Sequence, residues 1–305
     1  MSKIKAWIGA MRLRTLPLSL SGIIVGSALA GFLGHWDSGI FFAAISTTVL
    51  FQILSNLAND LGDSQKGTDN SDRLGPIRGV QSGEISIREM KRGVGITVVL
   101  SFVSAASLIY LSLPNLSESL LVFYAVLAIV CVLAAMLYTM GKSAYGYSGF
   151  GDVVVFLFFG VVSVLGVFSL YGLSFEWLTI LPALTIGLWS AAVLNLNNMR
   201  DIENDRAFGK KTLVVKMGFE KSKYYHVSLI LIGFSAWAFL ICLFVFISYN
   251  GLYLIALVPS LFIYGHLKNI FSFTNNKSFD GELKKVALLT FFSALLFSAV
   301  LFLNG

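Results

Sequence analysis

Residues 119–139 read SLLVFYAVLAIVCVLAAMLYT, an unbroken apolar run without a charged residue. A bilayer core takes about 20 apolar residues per helix, so this run is read as a membrane-spanning helix. Working outward, further spans are expected near Gly93–Leu113, Ile40–Leu57 and Thr15–Leu33 on its N-terminal side. On its C-terminal side they fall near Phe150–Leu173, Trp177–Asn195, Val227–Ser248, Leu252–Leu267 and Val286–Leu303. The eighth is the weakest, being short and carrying Pro259. Composition agrees: the 305 residues are 56% hydrophobic and 12% charged, with a mean hydropathy of +0.81, whereas soluble domains carry about 25% charged residues. A soluble fold could not hide this much apolar surface. Disordered, collagen, coiled-coil and disulfide-scaffold classes are excluded. The basic lead-in of Lys3, Lys5, Arg12 and Arg14 before an apolar run ending Ala28-Leu29-Ala30 has the look of a secretory signal. Its length and the eight spans that follow argue against one. The expectation is an all-α membrane protein, a bundle of nine transmembrane helices with cytoplasmic Asp-rich loops. No composition break divides residues 1–305, which are read as a single multi-pass domain.

The basic residues test this map. All 22 Lys and Arg fall before span one or after spans two, four, six and eight, while the opposite connections hold Asp37, Glu118 and Glu176 and no Lys or Arg. A wrong span count would have scattered them over both sides. The positive-inside rule therefore places the N-terminus and the long loops in the cytoplasm and the C-terminus outside. The net charge of +6 needs no nucleic acid to explain it.

Two acidic clusters stand on that inner side. Span two leads into Asn56-Leu57-Ala58-Asn59-Asp60-Leu61-Gly62-Asp63, followed by Asp69. Span six leads into Asn195-Leu196-Asn197-Asn198-Met199-Arg200-Asp201, followed by Asp205. Asn56 and Asp60, and Asn59 and Asp63, are four residues apart, and Asn197, Asp201 and Asp205 form a stripe at the same spacing. That spacing puts side chains on one helical face, where like charges repel. A hard divalent cation would offset the repulsion. Mg²⁺ binds one or two carboxylates together with substrate phosphates. Facing carboxylate pairs with Arg73, Arg78, Lys142, Lys210 and Lys211 nearby would suit a Mg²⁺-diphosphate. Lys142 is the lone basic residue of its loop and lies four residues after Tyr138, so both can point from the end of span four into one cavity. Asp152 could orient Lys142 or a substrate hydroxyl, or cap a helix. His35, His226 and His266 have no metal spacing and are read as interfacial; Cys131 and Cys242 are read as small hydrophobes.

Asn59-Asp60-x-x-Asp63 and Asp201-x-x-x-Asp205 resemble the two aspartate-rich motifs of the UbiA superfamily of intramembrane aromatic prenyltransferases. The usual first motif ends in a further Asp where this chain has Gly67, with Asp69 following. That departure points to the branch acting on 1,4-dihydroxy-2-naphthoate. So do Arg14-Thr15-Leu16-Pro17, Asp72-Arg73-Leu74-Gly75-Pro76-Ile77-Arg78, Tyr138-Thr139-x-Gly141, Tyr145-Gly146-Tyr147 and Gly209-Lys210-x-Thr212-Leu213-Val214-Val215. The similarity covers roughly Ala6 to Leu303. It implies a Mg²⁺-dependent transferase of the bacterial cytoplasmic (inner) membrane, serving menaquinone biosynthesis. Its substrates would be a polyprenyl diphosphate and 1,4-dihydroxy-2-naphthoate, and its product demethylmenaquinol, with loss of CO₂ and diphosphate. By the same resemblance Asp60, Asp63, Asp201 and Asp205, with Asp69 as a further candidate, are the metal set. Tyr138 lies near the reacting carbon and works with Lys142. Asn56, Asn59, Arg73, Arg78, Asn198 and Lys210 bind diphosphate or carboxylate.

Other acceptors, such as 4-hydroxybenzoate, homogentisate, chlorophyllide or haem, are the neighbouring alternatives, and residue chemistry alone does not separate them. A CDP-alcohol phosphotransferase would carry a D-G-x-x-A-R string, which is absent. A transporter would place ionisable groups near mid-span, whereas every carboxylate here lies near a span end.

Overall fold

The computed structural model of the chain describes residues 2–69, 74–141, 144–174, 176–273 and 278–304. Among them are nine helical segments long and apolar enough to cross a membrane. A short α1 (Lys3–Met11) joins α2 (Leu16–Phe32) through Arg12, whose φ of 49° lies in the left-handed region. Then come α3 (Ser38–Gln65), α4 (Ile87–Ser112), α5 (Glu118–Leu137), α6 (Gly151–Leu170) and α7 (Ile180–Arg200). Two short helices, α8 (Ile202–Ala207) and α9 (Leu213–Met217), precede α10 (Phe219–Ser248), α11 (Gly251–Ser272) and α12 (Phe279–Asn304).

The helix starts follow local chemistry. Asp37 caps α3 by accepting from the Ile40 amide at 3.0 Å. Ser86 and Glu89 close a reciprocal capping box on α4. Such caps satisfy amide donors that a first helical turn leaves without partners. The weak eighth span is a full crossing, but Gly251–Leu261 winds as a 3₁₀ helix with Pro259 inside it. Proline removes a donor and clashes with the preceding turn, so this half cannot wind as a regular α-helix.

Helix α7 is the hub. It packs against α10, α12 and α6, while α2 packs on α12 and α6, and α3 pairs with α4. Small residues allow the closest approaches, as expected where helices associate without a hydrophobic drive from water. A Cβ on Gly160 of α6 would lie 2.4 Å from the Ala183 carbonyl oxygen of α7, and one on Gly26 of α2 would lie 2.6 Å from that of Val164. Helix α5 does the opposite. Val122, Val126, Ile129 and Leu133 are exposed along it, which in this chain means turned to lipid. Within α6, Phe156–Gly166 is wound as a π-helix, a wider turn often found at functional sites.

Several helices run past the hydropathy reading, and two of those ends bear on the site. Helix α3 runs on from Leu57 to Gln65, and α7 from Asn195 to Arg200. Polar side chains end an apolar run, but they do not stop backbone hydrogen bonds from continuing. The first acidic cluster therefore sits on the last turns of a helix, not in a loop.

His226 and His266 are also not interfacial. Both are buried, with their Nε2 atoms 2.8 Å apart, and His266 Nδ1 lies 2.6 Å from Glu282 Oε2. They pin α10, α11 and α12 together.

Candidate active site

On α3, Asp60 and Asp63 are both buried. The segment between α3 and α4 returns over them. The Gly79 amide donates to Asp60 Oδ2 at 3.0 Å, and Arg78 Nη1 donates to Asp63 Oδ2 at 2.6 Å. The same nitrogen lies 3.0 Å from Asp69 Oδ2. The fit at Gly79 is close: a Cβ there would lie 2.8 Å from Ile85 Cδ1, which would have to shift, and 3.3 Å from Asp60 Oδ2. Burial opposes the Arg78 cation, but Asp63, Asp69 and Asp60 around it outweigh that and raise its pKa above the ordinary value.

Tyr147 connects the next loop to the first cluster. Its hydroxyl donates to Asp63 Oδ1 at 2.8 Å and contacts Thr68 Oγ1 at 2.9 Å. Its ring carries Lys66 Nζ at 4.0 Å and Lys210 Nζ at 5.2 Å from the centroid. Burial and the Asp63 charge push the phenol well above its usual range, so it remains a neutral donor. Nothing in its sequence position marked this residue beyond the Tyr145-Gly146-Tyr147 string.

The second cluster meets the first through Asn204, whose Nδ2 donates to the Thr68 carbonyl at 2.9 Å. Lys210 Nζ lies 3.6 Å from Asp205 Oδ1 and is held charged, against its burial, by Asp63 and Asp205 together. Asp205 is buried. Desolvation, with Asp201 and Asp63 adding repulsion, pushes its pKa up to about 6 despite Lys210. Asn197, Asp201 and Asp205 remain linked by backbone bonds of helical spacing, Asp201 N to Asn197 O at 3.2 Å and Asp205 N to Asp201 O at 2.8 Å, although Asp201 departs from helical dihedral angles. Helix α7 stops at Arg200, Asp201 adopts φ −98° and ψ 11°, and the chain restarts as α8. Asp201 is turned to Arg200, which holds it by two hydrogen bonds of 3.0 and 2.8 Å.

An elongated cavity of about 340 Å³ leads away from this polar end. Asn56, Asn59, Tyr138 and Tyr145 line its head, and Cys131, Leu127 and Tyr124 continue it along one face of α5. From Tyr138 to Tyr124 is about 21 Å of helix at 1.5 Å per residue. Tyr124 donates to the Gly166 carbonyl at 2.6 Å, where it lines the far part of the cavity. Asn56 also has a local duty, donating to the Met11 carbonyl at 2.9 Å. Asn198 is buried on α7. Tyr138 packs edge-on against Tyr145 at 5.3 Å. Asp152 is not a helix cap. It is the second residue of α6, and its buried Oδ1 has no hydrogen-bond partner among the described residues. Arg73 and Lys142 lie outside the described residues.

The donor set suits a hard cation. Asn59 Oδ1, Asp60 Oδ1 and Asp205 Oδ2 are buried oxygens without a hydrogen-bond partner among the described residues, and hard divalent ions take oxygen ligands. Among the described residues no three His, Cys, Asp or Glu side chains are already gathered as a ligand set. Any such ion would therefore draw further ligands from what it binds with.

Residues 19–292 match the model of the UbiA prenyltransferase family. The chain is 45% identical to the 1,4-dihydroxy-2-naphthoate octaprenyltransferase of Escherichia coli (strain K12), over 75% of this chain and 74% of the relative. It is 44% identical to the Haemophilus influenzae protein of the same name, over 75% and 74%. Its fold is similar to that of a UbiA homolog from Archaeoglobus fulgidus bound to DMAPP and Mg²⁺, with a TM-score of 0.63 and 16% identity over 96% and 99% of the two chains. It is also similar to a UbiA homolog from Aeropyrum pernix K1, with a TM-score of 0.65 and 16% identity over 96% and 98%. With two acidic motifs that meet through Asn204, and with these relatives, the chain belongs to the UbiA prenyltransferase family.

Proposed function

We propose that this protein transfers a polyprenyl group from a polyprenyl diphosphate to 1,4-dihydroxy-2-naphthoate, with loss of CO₂ and diphosphate, giving demethylmenaquinol for menaquinone biosynthesis. The observation that carries this reading is that the two acidic motifs meet through Asn204 and Lys210, while Asn56 and Asn59, on the helix that carries the first motif, line the head of a mostly apolar cavity. A prenyl diphosphate has that same polarity, a charged head on a greasy chain. The acceptor is the one for which the Escherichia coli and Haemophilus influenzae relatives are named.

Asp60, Asp63 and Asp205, with Asp201 adjoining, would hold Mg²⁺ through carboxylate oxygens, and Asn59 Oδ1 would add another. The ion would supply Lewis-acid stabilisation of the departing diphosphate. Arg78 and Lys210 neutralise the carboxylates and are fixed cations for the phosphate oxygens. Arg73 and Lys142 are assigned the same duty toward diphosphate or the naphthoate carboxylate. The bond from the first prenyl carbon to the diphosphate oxygen breaks, with its electron pair leaving on diphosphate. A ring carbon of dihydroxynaphthoate supplies the pair that forms the new C–C bond. The bond to the ring carboxylate then breaks as CO₂, and its pair restores the aromatic ring. Tyr138 and Tyr145 present π faces and edges beside the reacting carbon, and the helical walls keep water from the developing allylic cation.

The whole chain acts as one domain of the bacterial inner membrane, with its N-terminus and acidic face in the cytoplasm and its C-terminus outside. The acidic substrates then enter from the cytoplasm, and the prenyl tail enters from the bilayer. The test is direct. Purified protein given Mg²⁺, dihydroxynaphthoate and octaprenyl diphosphate should yield a product with the mass of the prenylated, decarboxylated quinol. Consumption of prenyl diphosphate without that mass would overturn the acceptor.

A further inference from the structure

We infer that Arg200 and Asp280 form a positioning relay that sets the orientation of Asp201 and ties the last helix to the acidic site. The inference rests on the metal-diphosphate reading above and goes beyond it, since neither residue is one of the motif aspartates.

Neighbouring residues of a continuous helix do not face each other. Arg200 and Asp201 can pair because the helix is broken between α7 and α8. The guanidinium of Arg200 is almost fully buried, at 1% exposure. Its Nε and Nη2 grip both oxygens of Asp201 at 3.0 and 2.8 Å. Nη2 also donates to Asn197 Oδ1 at 2.9 Å, and Nη1 reaches across to Asp280 Oδ1 on the first turn of α12 at 2.7 Å. A single planar group thus holds three side chains from two helices. The fork fixes the carboxylate plane, which a lysine ammonium could not do. Asp201 also anchors its partner in the motif, because the Asp205 amide donates to the Asp201 carbonyl at 2.8 Å. Groups that orient a ligating side chain in this way typically govern metal affinity by about 10–100-fold.

Asp280 is the informative position. It is 41% exposed, so its loss opens no cavity, and Arg200 keeps Asp201 and Asn197 as partners. The experiment is equilibrium binding of Mn²⁺ to the purified full chain, read from the paramagnetic resonance of the free ion, with Asp205→Asn as the reference loss. Asp280→Asn should weaken Mn²⁺ binding about tenfold, Asp280→Glu should restore most of it, and Arg200→Lys should weaken it in the same direction. The apparent KM for Mg²⁺ should rise in parallel, with kcat falling less. Parent-like Mn²⁺ affinity in both Asp280→Asn and Arg200→Lys, alongside loss in Asp205→Asn, would overturn the relay. Parent-like affinity in Asp205→Asn as well would overturn the metal reading, and the relay with it.

Discussion

The two acidic motifs reach the same place by different means. The first is a continuous helix end whose carboxylates are closed over by loops: Arg78 and Gly79 from one, Tyr147 from another. The second sits at a helix break, where one carboxylate is clamped by its own neighbour and the other, Asp205, meets Lys210 at 3.6 Å. The first is thus fixed by segments that fold over it, and the second by the helical frame itself. This difference suits a site that must open for a charged head group on one side and stay registered on the other.

The largest effect expected is on the carboxylates. Asp63→Asn and Asp205→Asn should each cut turnover about a hundredfold or more, the scale of losing a charge-stabilising group, while the protein still inserts and purifies. Retained turnover in either would remove its motif from the chemistry. Next come the groups that close over the first motif. Tyr147→Phe and Gly79→Ala should each lower kcat/KM for the prenyl diphosphate about tenfold, by analogy with other groups that orient ligands. Equal insensitivity of both would mean that the loops do not set Asp60 and Asp63.

The pH response should distinguish the motifs further. Asp205, raised to about 6 by burial, must be deprotonated to ligate, and metal binding competes with that proton. At sub-saturating Mg²⁺ the rate should fall as pH drops through about 6. Added Mg²⁺ should move that midpoint down, and Lys210→Met should move it up, because Lys210 lowers the Asp205 pKa. A midpoint indifferent to both would exclude Asp205 as the group observed. The smallest effect belongs to Asn204→Ala. It removes one hydrogen bond between the motifs, worth about 1 kcal/mol, and should shift the prenyl diphosphate KM only a few-fold.

How legible this was in the chain follows from the kind of interaction involved. The spans could be read because each is a local run of apolar residues with basic groups confined to alternate connections. The motif carboxylates could be read because helical spacing is also local. What escaped were contacts made across the sequence. Arg200 finds Asp280 eighty residues on, Tyr147 finds Asp63 across 84, and His226 finds His266 across 40. None of these pairs has a periodicity that would announce it. The irregular residue Asp201 is neither Gly nor Pro and has neither beside it, so nothing local announced the change of dihedral angles there.

The central claim is that the motifs make one site. A double-mutant cycle on Mn²⁺-dependent binding of a non-reactive prenyl diphosphate analogue tests it most directly. Asp63→Asn, Asp205→Asn and the double variant would be compared with the parent. One shared site predicts that the double variant binds little more weakly than the worse single, since either loss already dismantles the ion's ligand set. Losses that multiply, as for independent positions, would contradict it.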